Sequence, residues 1–277
     1  MIKTLQTLSP EYLSTVFNEA FSDYLLPMQL NAESLQQKMQ LENIDLALSY
    51  GYFDNNELKG FILHGSENDT VYNAGTGVVP DYRGKGITQQ LYAHLVPELQ
   101  RRGLHKHTLE VLEPNNKARY VYEQIGFKPI RKLHCFSGTP KDITFNHEIR
   151  IQQVAIPALE QYFSEPEWIF SWQNRRKAIE RTPTLHHMWL AHSKDMPVGY
   201  IVCSKAGHIR QMYILPDYRR MHIGSSLLHH AFSELQLPLL KAINVDERCV
   251  TIMPFLEASG LHCFTSQIEM EMNVEEM

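Results

Sequence analysis

The sequence predicts an α+β protein in which one mixed-sheet arrangement is written twice. Three observations carry that reading. Three β-patterned runs, Ile44 to Tyr52, Leu58 to His64 and Thr70 to Val79, follow one another with short turns between them. A glycine-rich turn, Val78-Val79-Pro80-Asp81-Tyr82-Arg83-Gly84-Lys85-Gly86-Ile87-Thr88, joins the last of these to a helix-patterned stretch, Gln89 to Arg102. The same order returns in the second half: Pro216-Asp217-Tyr218-Arg219 repeats Pro80-Asp81-Tyr82-Arg83 136 residues later.

Taken in order, Ile2 to Leu8 reads as a short strand. Ser9-Pro10 is a helix start, with serine as N-cap and proline at the first helical position. Tyr12, Leu13, Val16, Phe17, Ala20 and Phe21 recur at three- and four-residue steps, the stripe of an amphipathic helix. Pro27 breaks that pattern within Ser22 to Leu30, and Asn31 caps a second helix through Leu35 and Met39. Asp54-Asn55-Asn56 supplies turn chemistry between the first two strands. Gly75 and Gly77 lie inside the third strand, where glycine marks a bulge or a close backbone approach. Ile87, Leu91, Leu95 and Leu99 form one stripe, bent or shortened by Pro97 and stopped at Gly103. His107 to Leu112 is the next strand, Pro114-Asn115 opens another helix, Gly126 ends it, and Phe127-Lys128-Pro129-Ile130 starts a return strand.

The Gly-Lys-Gly turn has the makings of an anion cradle. Little side chain blocks close approach, several backbone N–H groups can converge, and the helix behind it ends in about +0.5 charge. Two other cradles do not fit. A P-loop needs four residues between its first Gly and Gly-Lys-Ser/Thr, and here six separate Gly77 from Gly84. A dinucleotide fingerprint needs a third Gly where Gln89 stands.

V-x-P-x-x-R-G-x-G-I resembles the pyrophosphate-binding motif of the GCN5-related N-acetyltransferases (GNAT), Q/R-x-x-G-x-G/A. Arg83 and Gly86 match it, and Thr88 takes the place of the last small residue. Asn115-Asn116-Lys117-Ala118-Arg119-Tyr120-Val121-Tyr122-Glu123-Gln124-Ile125-Gly126-Phe127 matches a second signature, N-x-x-A-x-x-x-Y-x-x-x-G-F, in the expected order. The resemblance implies two GNAT-like domains, each a mostly antiparallel sheet with a parallel pair at the cofactor cleft, flanked by helices. It implies acetyl-CoA as cofactor, held by Val78, Val79, Arg83, Gly84, Lys85, Gly86, Ile87, Thr88 and Asn115. A bulge in the third strand would open the sheet to the acyl carbonyl. The connector Asp23-Tyr24-Leu25-Leu26-Pro27-Met28 would line the acceptor site, with Tyr24 as a substrate contact; read from the residues alone it is a hydrophobic connector packed on the core.

The division expected is residues 1–137 as the acetyl-CoA-binding catalytic domain, 138–147 as linker and 148–277 as a degenerate second copy. Gly138-Thr139-Pro140-Lys141-Asp142 is the centre of that linker. In the copy His222 replaces the middle glycine of the cradle, Leu256 stands where Tyr122 stands, and Cys249 where Asn115 stands. A structural or substrate-capping role is expected for it, and a ligand or residual activity of its own stays open.

Acyl transfer from a thioester to an amine needs anchored phosphates, a polarised carbonyl, a neutral amine and a proton for the departing thiolate. The cradle supplies the first, and a strand N–H near Val78 the second. Tyr122 is the candidate general acid, or else a buried aromatic with its hydroxyl bonded to backbone; a phenol of pKa about 10 donates uphill to a thiolate whose acid has pKa about 8.5. For the amine, a lysine at about 10.4 costs about 4–5 kcal/mol to neutralise at pH 7, whereas an α-amine near 8 needs only a base and one water. Some family members carry a carboxylate where Asn73 stands, and asparagine cannot be a base. Glu110 on the following strand can serve through water, or be a structural glutamate. The substrate expected is therefore a small-molecule amine less basic than lysine. A coenzyme-A-holding module without turnover and a peptide or protein N-terminal acetyltransferase remain open. So does the length of the acyl group, since Gly75 and Gly77 permit room for more than acetyl.

Composition sets the remaining bounds. The chain has 277 residues, 43% hydrophobic and 21% charged, with a formal net charge of −5, which argues against a nucleic-acid partner. No run approaches the roughly 18 apolar residues that span a bilayer, and the first residues lack a secretory core, so the expected location is cytoplasmic and no membrane partner is expected. The four cysteines have no C-x-x-C spacing and read as reduced thiols. The fourteen histidines include His105-x-His107, His186-His187 and His229-His230 but no metal-binding spacing, so no metal is expected. Met270, Met272 and Met277, among Glu269, Glu271, Glu275 and Glu276, read as a strand edge and acidic tail. Oligomeric state is left open.

Overall fold

The computed structural model describes residues 1–141, 144–156 and 170–276. The chain forms two compact units, Met1–Arg131 together with Ile268–Met277, and Lys132–Gln267. These units differ from the contiguous division expected at 138–147, because the last segment of the chain belongs to the first unit. Of the expected linker and tail, Asp142, Ile143 and Met277 lie outside the described residues.

The first unit holds β1 (Ile2–Thr4), α1 (Pro10–Ala20), α2 (Ala32–Glu42), β2 (Tyr50–Asp54), β3 (Glu57–Glu67), β4 (Thr70–Val78), α3 (Ile87–Arg101), β5 (Lys106–Leu112) and α4 (Asn116–Ile125). The local signals act as expected. The Ser9 side chain accepts from the Tyr12 N–H, Asn31 and Ser34 form a capping box, and Asn55 and Asn56 take left-handed φ angles in the β2–β3 turn. Two elements are shorter than their sequence patterns: β1 ends at Thr4 and β2 begins only at Tyr50, Ile44 being left with a single bridge to Gly65.

Strands β1 to β4 pair antiparallel in sequence order, and β4 pairs parallel with β5. The strand beside β5 is β12 (His262–Asn273), not the β6 strand (Lys128–Gly138) that the sequence predicts as the return. Burial explains the difference. Met270, Met272 and Val274 are at most 2% exposed and share one cluster with Leu91, Leu95, Leu99, Val111, Tyr122 and Phe127. At about 25 cal/mol per Å² these side chains stabilise the first unit far more than they would an exposed edge. The expected strand edge is thus an inner strand with buried methionines, while Glu275 and Glu276 follow it as an exposed acidic end.

The second unit contains β7 (Ile149–Val154), α5 (Arg176–Arg181), β8 (His186–Ser193), β9 (Met196–Ser204), β10 (Ile209–Ile214), α6 (Ile223–Leu235), β11 (Leu240–Asp246) and α7 (Ile252–Ala258). Strands β7 to β10 form an antiparallel sheet, and β11 pairs antiparallel with β6. Where the first unit has a parallel pair, this one keeps, among the described residues, a single isolated parallel bridge, His208 to Lys241. Its own core gathers Trp189, Ile201, Met212, Leu227, Leu240 and Leu256.

Two histidines are sealed into the first unit. His64 on β3 and His107 on β5 are fully buried with rings 4.9 Å apart, and His107 also faces Tyr92 and Phe127. Burial lowers both, His64 to about 3 and His107 well below its ordinary value. Since the folded values lie below the unfolded value of about 6.5, the unfolded chain takes up protons that the folded chain refuses. This stabilisation is complete above about pH 6.5 and is lost as pH falls from there toward 3. We expect these two histidines to contribute up to about 2.7 kcal/mol per pH unit to the fall of the unfolding free energy below pH 6, and His107→Phe to remove about half of that contribution. Urea unfolding at pH 4.5 to 7.5 checks this; equal slopes in both proteins would contradict it.

Candidate active site

The site is built on a fork in the sheet. β4 pairs with β5 only from Thr70–Asn73 against Lys106–Leu109, after which the two strands share no register. At the same place β4 carries a bulge: Leu63 faces Gly75 and His64 faces Asn73, leaving Ala74 as the extra residue. The Asn73 Oδ1 closes it by accepting the Gly75 N–H at 2.9 Å.

The bulge changes which side chains share a face. Strand residues alternate faces, so Asn73 and Thr76 would ordinarily point apart. Here the Asn73 Nδ2 donates to Thr76 Oγ1 at 2.7 Å and to the Tyr92 hydroxyl of α3 at 2.9 Å. On the opposite face Gly75 and Gly77 meet α1. A Cβ on Gly77 would fall 2.6 Å from Phe61 and 2.9 Å from Ala20, and one on Gly75 3.7 Å from Phe17. Gly77 therefore leaves room for Phe61 and α1, while Gly75, where a Cβ would make only an ordinary contact with Phe17, is less crowded.

Tyr122, on α4, stands on the Asn73 and Thr76 side. Its ring lies 6.3 Å from Tyr92 and 5.8 Å from Phe127, and its hydroxyl is in hydrogen-bonding range of Thr76 and Asn73. Burial pushes the phenol up to about 12, against the hydrogen bonds, which pull it down. Glu110, on β5, accepts the Tyr72 hydroxyl at 2.9 Å, and Tyr72 shares the α1 and α2 face with Glu42. Burial comes first, and the Glu110 carboxylate second, in raising Tyr72 well above its ordinary value. A buried phenol and a carboxylate thus reach the open fork from opposite faces of the sheet.

Below the fork lies the cradle. Pro80–Tyr82 forms a 3-10 turn, Gly84 (φ 73°) and Gly86 (φ 69°) take left-handed conformations, and α3 starts with no side chain capping it. The N–H groups of Ile87, Thr88 and Gln89 therefore have no helical partner. Nothing lies within 4 Å of where a Gly84 Cβ would stand. The Lys85 ammonium rests 4.3 Å over the Tyr82 ring, whose hydroxyl donates to Asp54 at 2.6 Å. Ile87 is buried in the core and Val79 donates its N–H to Lys59 O at 3.0 Å, so these two shape the turn from within. Val78 closes β4 opposite Gly60.

Two expected cofactor contacts have other partners. Arg83 turns away from the cradle: its guanidinium forks onto Asp23 at 2.6 and 2.7 Å and also reaches Ala20 O and Val78 O. Asn115 caps α4 by accepting the Ala118 N–H at 3.2 Å, and its side chain lies beside the Tyr24 hydroxyl. Tyr24 thereby sits beside Tyr122 and Asn115. Sequence reasoning missed Thr76, Tyr92 and Tyr72 as members of the site, and it named Asn73 and Asp23 without their partners; only the glycines flanking Thr76 hinted at the bulge that assembles them.

The second cradle repeats the turn without its glycines. Pro216–Tyr218 is again a 3-10 turn, and Arg220 (φ 64°) and His222 (φ 58°) hold the left-handed conformations of Gly84 and Gly86. Each costs about 1–2 kcal/mol in an L-residue. Asn146 lies on this turn, donating to Met221 O at 2.9 Å and, through its N–H, to Ser226 Oγ at 3.0 Å. Leu256 and Cys249, in the places of Tyr122 and Asn115, are buried. Among the described residues no three side chains form a metal-ligating group, and no helix is long and apolar enough to cross a membrane.

A sheet forked at a bulge, with a glycine-opened helix start beneath the fork and a buried phenol beside it, is an acetyltransferase architecture. The chain belongs to the GNAT superfamily in its tandem form: residues 11–127 match the Acetyltransferase (GNAT) family and residues 184–259 an Acetyltransferase (GNAT) domain. A GCN5-related N-acetyltransferase from Sphaerobacter thermophilus shares the fold at TM-score 0.75 and 15% identity, over 99% of this chain and 95% of that one. A tandem GNAT protein from the clavulanic acid biosynthesis pathway does so at TM-score 0.70 and 10% identity, over 99% of each. Curated relatives include the ribosomal protein bS18-alanine N-acetyltransferases of Haemophilus influenzae (31% over 83 residues, 30% of this chain and 56% of the relative) and Escherichia coli K12 (31% over 80 residues, 29% and 54%). The chain thus spans about half the length of the curated relatives it matches.

Asn73→Ala removes the bulge closure and the bonds to Thr76 and Tyr92 together. A loss of about 1–3 kcal/mol is expected in chemical unfolding; an unchanged midpoint would show that the bulge stands without it.

Proposed function

We propose that the first unit transfers an acetyl group from acetyl-CoA to a weakly basic amine of a small molecule. The observation that carries the reading is the fork itself, with the Tyr122 phenol on one face, the Glu110 carboxylate on the other, and an uncapped helix start below. The cradle fits a pyrophosphate: three N–H groups are free, the helix dipole favours negative charge, and no Cβ stands in the way at Gly84. Bound there, acetyl-CoA supplies an activated acyl group on a thiolate leaving group.

The chain's own residues do the rest. Gly84, Lys85, Gly86, Ile87 and Thr88 hold the phosphates through backbone N–H groups, and the β4 edge near Val78 offers its N–H to the acyl oxygen. Glu110 takes the amine proton through water, with Tyr72 fixing the carboxylate by its 2.9 Å bond. Tyr122 remains protonated through neutral and alkaline pH, so its hydrogen faces the departing sulfur whenever the amine is neutral. Full transfer from a phenol near 12 to a thiolate near 8.5 costs about 5 kcal/mol, so a donated hydrogen bond is the main contribution. The second unit, with Asn146 on its cradle and Leu256 in place of the phenol, serves as a structural or substrate-capping partner.

A second reading, acetylation of a peptide α-amine, is favoured by the curated relatives, which are named as alanine N-acetyltransferases of a ribosomal protein.

In calorimetric titration we expect one acetyl-CoA site in the wild type, weakened at least about tenfold by Gly86→Asp, which places a carboxylate at the α3 start. Absence of binding would end the transferase reading. Turnover measured against a panel of small amines and an alanine-initiated hexapeptide separates the two acceptors. Tyr122→Phe should lower kcat by about 100-fold or more with the acetyl-CoA Kd unchanged; an unchanged kcat would remove Tyr122 from the chemistry.

A further inference from the structure

Arg83 is the residue whose motif position and geometry disagree. It leaves the Pro80–Tyr82 turn in an extended conformation (φ −67°, ψ 156°), and its side chain runs back along the end of β4. Nε donates to Val78 O at 3.1 Å, Nη1 to Asp23 Oδ2 at 2.6 Å, and Nη2 to Asp23 Oδ1 at 2.7 Å and Ala20 O at 3.0 Å. Four of the five N–H donors of a guanidinium are thereby committed within the protein. The fork onto Asp23 is a planar, bidentate match, the geometry that fixes orientation as well as contact. Each partner holds the other charged: Asp23 is lowered and Arg83 raised, in both cases first by their shared hydrogen bonds.

What Asp23 is attached to gives the pair its meaning. Residues 21–30 connect α1 to α2 as a loop closed at its base, where Asn18 Nδ2 donates to Leu30 O and Asn18 Oδ1 accepts the Leu30 N–H, both at 2.8 Å. Asp23 ties the outer part of that loop to the cofactor turn. The next residue, Tyr24, packs edge-on against Phe21 at 5.1 Å and carries its hydroxyl to Asn115, beside Tyr122. The repeat supplies an internal comparison. Arg219 keeps the backbone tie, Nε to Ile214 O at 3.1 Å, but among the described residues it has no carboxylate partner. The tie to the strand belongs to the turn; the fork belongs to the first unit.

We propose that Asp23 and Arg83 form a latch that holds residues 21–30 closed, with Tyr24 against Asn115, so that Arg83 positions the acceptor side of the site and is not a phosphate ligand. The assignment of an acceptor side rests on the acetyltransferase reading above; the latch itself does not. Arg83 is a positioning residue, acting on Tyr24 through Asp23.

Hydrogen exchange of a peptide spanning 21–30 tests this, with coenzyme A as the calorimetric probe. Asp23→Asn and Arg83→Lys should each speed exchange there by about tenfold, with no added effect in the double variant and exchange elsewhere in the first unit unchanged. Asp23→Glu, which keeps the carboxylate, should restore protection. The Kd for coenzyme A should stay within about threefold of wild type in both single variants, because the cradle N–H groups are untouched. Unchanged exchange in both variants overturns the latch. Tighter coenzyme A binding in Asp23→Asn with weaker binding in Arg83→Lys also overturns it, since freeing Arg83 would then create a phosphate ligand. If the wild type binds no coenzyme A while the exchange pattern holds, the latch stands and the acetyltransferase reading fails.

Discussion

A single extra residue in β4 governs the first unit. Because side chains alternate along a strand, inserting Ala74 inverts the alternation from there on. Asn73 and Thr76 come to one face with Tyr92 and Tyr122, while Gly75 and Gly77 turn to α1. The same irregularity ends the pairing of β4 with β5 and opens the fork. One asparagine side chain closes the bulge, orients a buried tyrosine and reaches the phenol assigned as the acid. Pairing, packing and chemistry therefore share one local distortion.

The two copies separate backbone shape from the chemistry built on it. Both cradles have the same 3-10 turn, the same arginine tie to the preceding strand and the same pair of left-handed residues. In the first copy glycines hold that shape without strain and leave space above it. In the second, Arg220 and His222 hold it at a conformational cost, and Asn146 lies across it. The fold has kept the turn because it joins strand to helix. The open face remains only in the first copy.

Electrostatics divide in a similar way. The groups most displaced from ordinary values in the first unit, Tyr72, Tyr92, His64 and His107, are displaced first by burial. The two histidines make the core sensitive to acid without contributing to the site. Tyr122 and Tyr24 are raised for the same first reason, yet both face the fork, where a charged donor would be met by protonated phenols. Exposed groups are shifted instead by their partners, Arg83 and Asp23 by each other and Glu98 by Arg101 and Arg102.

Much of this was legible in the residues. Caps at Ser9 and Asn31, the left-handed glycines, the Asn115-to-Phe127 motif and the 136-residue echo all act through neighbours close in sequence, so their spacing alone specifies them. That determined most of the elements, the duplication and the shape of the turn before α3, and put Tyr122 on α4. The chain could not announce that Met270 and Met272 belong to the first unit, because alternating Met and Glu reads the same at an edge as in an inner strand. Nor could it place Asp23 on Arg83 or Tyr72 on Glu110, contacts 60 and 38 residues apart in the chain that arise when two surfaces meet. The sequence by itself determined which turns and helices exist. Only the tertiary structure decided which donors are left free for a ligand, because hydrogen bonds formed across the fold had already engaged the guanidinium that the motif offered.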